Sequence, residues 1–167
     1  MMFTKFLFLK TLFGTSIGMK SLNKVTVMKD EILINNIKFW LDQNIIYCKL
    51  YDDSVVDFTC KGYEALFCKA ISILSDGSYL PVIFDLSEVS SSVSVKLFKL
   101  LSNNCKIRGC VLSKVFLVKN YKQKVLLSYY MLFSDTKVPN LVFKDLSLAE
   151  RYSHQYYDVF NSISCES

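Results

Sequence analysis

The sequence is poor in the residues that bend chains and move protons. Of 167 residues only five are glycine and two are proline, which excludes collagen-like and linker-rich architectures. Neither GxxxxGK followed by Ser or Thr nor GxGxxG occurs, so the usual glycine loops that cradle nucleotide phosphates are missing. A single histidine, His154, removes most zinc sets and acid–base constellations at once. It lies among Ser153, Gln155 and Tyr156, a setting that suits a helix surface better than a catalytic base, and no G-x-S-x-G is present. Six cysteines (Cys48, Cys60, Cys68, Cys105, Cys110 and Cys165) include no C-x-x-C pair, so reduced thiols in a cytoplasm are expected. No metal, no cofactor and no catalytic residue is expected.

What is present is enough for one core. Hydrophobic residues make up 51% and charged residues 21%, which excludes wholesale disorder, and the length is that of about one ordinary domain. Residues 1–18 stand apart. Lys10 breaks the apolar run Phe6-Leu7-Phe8-Leu9 far short of the ~20 residues that span a bilayer. Three readings stay open: a mis-assigned start with Met19 as initiator, an amphipathic surface anchor, or a poor signal peptide. Residues 19–167 are read as a single domain, cytoplasmic, with peripheral membrane association through residues 1–18 as an alternative.

The hydrophobic periods alternate. Ile32–Leu41 and Ile45–Tyr51 flank Asp42-Gln43-Asn44 as a hairpin, with room for an earlier edge strand. Tyr63, Leu66, Phe67, Ala70, Ile71 and Leu74 form one helical stripe, with Asp57 or Thr59 as its cap and Asp76-Gly77 as its end. Leu80–Asp85 reads as a strand buried on both faces. Ser90-Ser91-Ser92 precede a second helix with Val93, Leu97, Leu100 and Leu101 on one face, closed by Asn103-Asn104. Cys110–Leu117 is a further strand. Asn120 and Gln123 cap a third helix whose apolar residues are Tyr121, Val125, Tyr129, Leu132 and Phe133. Leu141-Val142-Phe143 is a last strand. Ser147 and Glu150 form a capping box for a final helix with Ala149, Tyr152, Tyr156, Val159 and Phe160 inward. The expected class is α/β: a mixed sheet opening with an antiparallel hairpin, then alternating helices and strands, helices mainly on one face.

Charge is unevenly spread. Between Glu88 and Asp135 lie 46 residues without a carboxylate, carrying Lys96, Lys99, Lys106, Arg108, Lys114, Lys119, Lys122 and Lys124. This window is suited to an acidic partner, and Lys119, Lys122, Arg108 and Lys114 are the candidate contacts to such a partner or an anion. Nucleic acid or an anionic membrane is the alternative partner. Most aromatics, however, fall at expected core positions, and neither an RRM signature nor a zinc-finger pattern is present.

From Ile37 to Ile163, about three quarters of the chain, the sequence resembles a small bacterial family related to the sulfate-transporter and anti-sigma-factor-antagonist (STAS) domain. The residues that carry the resemblance are Trp40-Leu41-Asp42 to Tyr47, Val56-Asp57 and Tyr79–Leu86, then Val142-Phe143 and the helix bearing Ala149. The resemblance implies a four- or five-stranded mixed sheet and a non-enzymatic regulatory or protein-interaction role. In such proteins a serine at the start of the helix after the central strand is phosphorylated, which switches partner binding. The matching stretch here is Asp85–Ser92, with Ser91 the best candidate and Ser90 and Ser92 beside it; the family's Asp-Ser-Gly tripeptide is not present. Read from the residues alone, the same serines are helix caps.

Overall fold

The computed structural model describes residues 25–28, 30–51, 62–102, 104–134 and 137–164. The expectations for residues 1–18, and for Asp57 or Thr59 as a helix cap, lie outside the described residues.

Seven strands form one sheet in simple sequence order: β1 (Val25–Met28), β2 (Glu31–Ile34), β3 (Ile37–Asp42), β4 (Ile45–Leu50), β5 (Leu80–Asp85), β6 (Val111–Leu117) and β7 (Asn140–Phe143). β1 to β4 are an antiparallel meander, and β4 to β7 are parallel. The earlier edge strand is therefore present as β1. The run Ile32–Leu41, expected as one strand, is two. Asn35 turns the chain with φ 53°, a left-handed conformation that asparagine tolerates. The expected turn after Asp42 is tight: Gln43 and Asn44 adopt φ 46° and 63°, the paired left-handed residues of a two-residue hairpin. Seven strands exceed the four or five implied by the resemblance, because both sides of the first hairpin run are themselves paired.

The parallel half is built by crossovers. Helix α1 (Tyr63–Ser75) joins β4 to β5, α2 (Ser91–Ser102) leads from β5 through the short α3 (Cys105–Arg108) to β6, and α4 (Tyr121–Met131) joins β6 to β7. Each crossover advances one strand in the same direction. A constant hand of crossover then places α1, α2 and α4 on one face. Their buried residues Leu66, Phe67, Leu97, Phe98 and Leu127 share a core with Phe39, Cys48, Val82, Phe84, Phe116 and Val142. Aromatic rings run through it, Phe67 to Phe84 to Phe116 to Phe98, at centroid distances of 6.1, 5.3 and 4.8 Å. The last helix, α5 (Leu146–Ser164), covers the opposite face, where Ala149 packs with Ile45, Tyr47, Ile83, Val115 and Leu117. This is the α/β class expected: among the described residues α1, α2, the short α3 (through Ile107) and α4 share one face, and α5 covers the other.

All six residues of the expected α1 stripe are buried, and Asp76 (φ 47°) and Gly77 (φ 88°) end the helix in left-handed conformation. Other expected faces are rotated. In α2 the buried residues are Ser94, Leu97, Phe98 and Leu101, while Val93 and Leu100 are half-buried. α2 ends at Ser102, directly before the expected Asn103-Asn104, of which Asn103 lies outside the described residues; Asn104 Oδ1 accepts from the amides of Lys106 and Ile107 (2.9 and 3.0 Å) and so caps α3. In α5 the cap is Asp145, whose Oδ1 accepts from the Leu148 amide at 3.0 Å, rather than Ser147. Val159 and Phe160 of α5 are exposed because the sheet ends before the helix does. The largest departure is α4: Tyr121, Val125, Tyr129, Leu132 and Phe133 all face solvent, and Leu127 with Gln123 takes the buried side. No described helix is long and apolar enough to cross a membrane.

Candidate functional site

The four parallel strands point the same way, so the segments that follow them leave the sheet at one end. At such an end an open α/β sheet presents loops and helix N-termini to a ligand or partner. Helices that follow these strands begin there, among them α2 after β5, α4 after β6 and α5 after β7.

The β5–α2 segment is held from both sides. The Asp85 carboxylate accepts from the amide and hydroxyl of Ser87 (3.0 and 2.6 Å). Lys49 of the neighbouring strand lies 2.8 Å from Glu88 and 3.6 Å from Asp85. The bond to Glu88 raises the pKa of Lys49, with the Asp85 charge adding to it and burial opposing it. The Leu86 amide donates to the Leu117 carbonyl at 2.8 Å, fixing the loop to the end of β6.

Ser90 is the N-cap of α2. Its Oγ accepts from the Val93 amide at 3.4 Å and lies 3.1 Å from the Ser92 hydroxyl, while its carbonyl accepts from both the amide and the hydroxyl of Ser94. Ser91 is the first residue of the helix. It is half-buried, and its side chain makes no hydrogen bond among the described residues. Ser90 and Ser92 are exposed.

The start of α4 is tied to this segment by one buried side chain. Gln123 donates from Nε2 to the Val89 carbonyl at 3.1 Å and lies 3.5 Å from the Ser94 hydroxyl. Its Oε1 accepts from the Lys119 amide at 3.2 Å, and its own amide donates to Asn120 Oδ1 at 2.9 Å. The Asn120 cap is therefore as expected. Gln123 does more than complete it, joining two helix starts that are separated by thirty-odd residues. The spacing Asn120-x-x-Gln123 marked the residue, but nothing in the sequence marked its reach to Val89.

The basic candidates separate. Lys119 and Lys122 are exposed at the start of α4, at the same end of the sheet as Ser91. Arg108 is half-buried at the end of α3, which precedes β6 and so lies at the opposite end. Lys114 is no surface contact. It has no accessible surface, and its ammonium donates to the carbonyls of Leu101 and Ser102 (3.1 and 2.6 Å), capping the C-terminus of α2 from inside. Burial, with the Arg108 charge adding to it, pushes its pKa down to about 8.

Burial pushes the Cys48 thiol well up, away from the thiolate form. His154 is half-buried within α5. Among the described residues no group of His, Cys, Asp and Glu could hold a metal ion. Against known protein families, curated proteins and solved structures, the chain finds no match in any of the three comparisons.

Proposed function

We propose that the protein is a non-enzymatic regulatory module of STAS-like character that acts by binding another protein and is switched at the serines opening α2. The observation that carries the reading is the position of Ser91. It is the first residue of a twelve-residue helix that follows a parallel strand, and its side chain makes no hydrogen bond among the described residues. A phosphate there would meet free helix amides and the positive end of the helix dipole, with Lys119 and Lys122 exposed at the same end of the sheet. The acid-free stretch from 89 to 134 suits an acidic partner face. The test is a pulldown with the full chain beside Ser91→Asp, with captured proteins identified by mass spectrometry. A partner retained by the unmodified chain and lost with the aspartate supports the switch. Identical partners for both reduce the serines to helix caps.

A second reading, a basic protein binding nucleic acid or an anionic membrane, draws on the same run of lysines. Its test is retention of nucleic acid or anionic vesicles that weakens as salt is raised.

A further inference from the structure

Helix α4 has two apolar faces and the fold uses one. Leu127 and Gln123 are buried against the rest of the domain. On the outer side Tyr121, Val125 and Tyr129, continued just past the helix end by Leu132 and Phe133, follow each other at helical spacing, with exposures of 68, 50, 58, 78 and 72%. Single apolar residues on a surface need no explanation, but a continuous stripe of five does. The stripe is already ordered: the rings of Tyr129 and Phe133 pack edge to face at 5.1 Å, and Tyr130 meets Tyr129 at 6.0 Å.

At its C-terminal end the stripe runs into a cavity of about 290 Å³ between α4 and α2, lined by Phe98, Lys99, Ser102, Tyr130, Phe133 and Ser134. Three of these six residues are aromatic. The Ser102 hydroxyl is buried and has no hydrogen-bond partner among the described residues. Lys99 lies over the Tyr130 ring at 4.5 Å, which places an ammonium at the cavity. Lys96 and Lys122 are exposed on the same two helices, and α2, α3, β6 and α4 contain no carboxylate.

These features select among occupants. A second copy would bring like charges together around the stripe. A bilayer surface would cover the stripe but leave the recess between the helices unfilled. Leu132 and Val125 offer no ring on which a base could stack. An apolar side chain entering the recess, with carboxylates beside it to meet Lys99, Lys96 and Lys122, satisfies all of the features together. Resting on the interaction-module reading above, we infer that the outer face of α4 and the α2–α4 cavity form a docking site for an acidic amphipathic segment of a partner protein.

The experiment selects peptides from a random display library on the full chain. The selected peptides are then measured by fluorescence anisotropy against the unmodified protein, Leu132→Asp, Lys99→Glu and Ser91→Asp. Leu132 is exposed, so its substitution leaves the fold intact. The expected result is peptides rich in Asp and Glu with interspersed Leu or Phe, whose affinity falls at least tenfold with Leu132→Asp and with Lys99→Glu. Peptides without acidic enrichment, peptides that bind Leu132→Asp equally well, or no selected peptide would each overturn the proposal. So would phosphatidylserine vesicles that bind the unmodified chain but not Leu132→Asp while no peptide is selected, or a dimer seen by sedimentation that Leu132→Asp abolishes. Peptides that depend on Leu132 and ignore Ser91→Asp would keep this surface and remove the serine switch. Peptides that depend on Ser91 and ignore Leu132 would do the reverse.

Discussion

The ammonium of Lys114 donates to the Ser102 carbonyl at 2.6 Å and to the Leu101 carbonyl at 3.1 Å, from a side chain on β6 with no accessible surface. A helix leaves its last carbonyls unpaired, and here a strand supplies the donor. Charge at this position opposes burial while the hydrogen bonds favour it, so pH separates the two. The folded pKa, pushed down to about 8, lies below the unfolded value of about 10.5. The unfolded chain therefore binds more protons between those values, and the contribution of Lys114 to stability rises with pH across that window. It is fully present above pH 10.5 and lost as pH falls to about 8. Urea unfolding of the unmodified protein and of Lys114→Met between pH 7.5 and 10 checks this. The difference in stability between the two should grow in favour of the unmodified protein, by at most about 1.4 kcal/mol per pH unit. Taking the difference cancels the other groups that titrate in the alkaline range.

Gln123 is the buried link between the starts of α2 and α4. Gln123→Leu keeps the bulk but leaves the Val89 carbonyl and the Lys119 amide without their partner, at a cost of about 2 kcal/mol. Urea unfolding measures the loss. Amide exchange should quicken first at residues 119–123, before the strands are affected.

Tyr47 donates from its hydroxyl to Glu150 at 2.9 Å, tying β4 to α5 on the face that only one helix covers. Tyr47→Phe should cost about 1 kcal/mol, read from the thermal midpoint at neutral pH. Burial, and then the Glu150 hydrogen bond and charge, push the phenol well up from its usual range. The contribution of Tyr47 is fully present below the unfolded pKa of about 10 and is lost as pH rises through the higher folded value. The cost of Tyr47→Phe should therefore shrink in strong alkali.

The β3–β4 hairpin turns on two left-handed residues, Gln43 and Asn44, neither of them glycine. Two-residue turns of this kind favour Asn-Gly, so Asn44→Gly should stabilise the protein by about 0.5 kcal/mol. A rise in the urea midpoint with unchanged slope is the expected readout. Both residues are exposed, which leaves backbone conformation as the operative term.

Local chemistry carried much of the fold into the sequence. The α1 stripe from Tyr63 to Leu74 has one apolar face, so burial had one solution. The Leu80–Asp85 run is apolar on both sides and could sit only inside the sheet. Asn120 advertised its cap because capping spans three residues of adjacent chain. The turn at Asn35 was hidden inside a run of strand-forming residues, where one asparagine breaks no period. The helix start at Ser90–Ser92 was legible because a cap and the helix it opens are neighbours in the chain. The long-range contacts of Gln123 and Lys49 were illegible, because their partners are distant in sequence.

Period, capping and composition are local properties, so the order of helices and strands, the place of the parallel half and the uneven spread of charge could be read along the chain. Which surfaces are covered was fixed by packing alone. α4 offers apolar residues on two sides, and period alone cannot choose between them; packing against the domain buried Leu127 and left Leu132 and Phe133 outside. Lys114 reads in sequence as one more member of a basic stretch, yet its neighbours in space are the end of α2 and the interior of the sheet. Burial is a relation between elements, and it is settled where they meet.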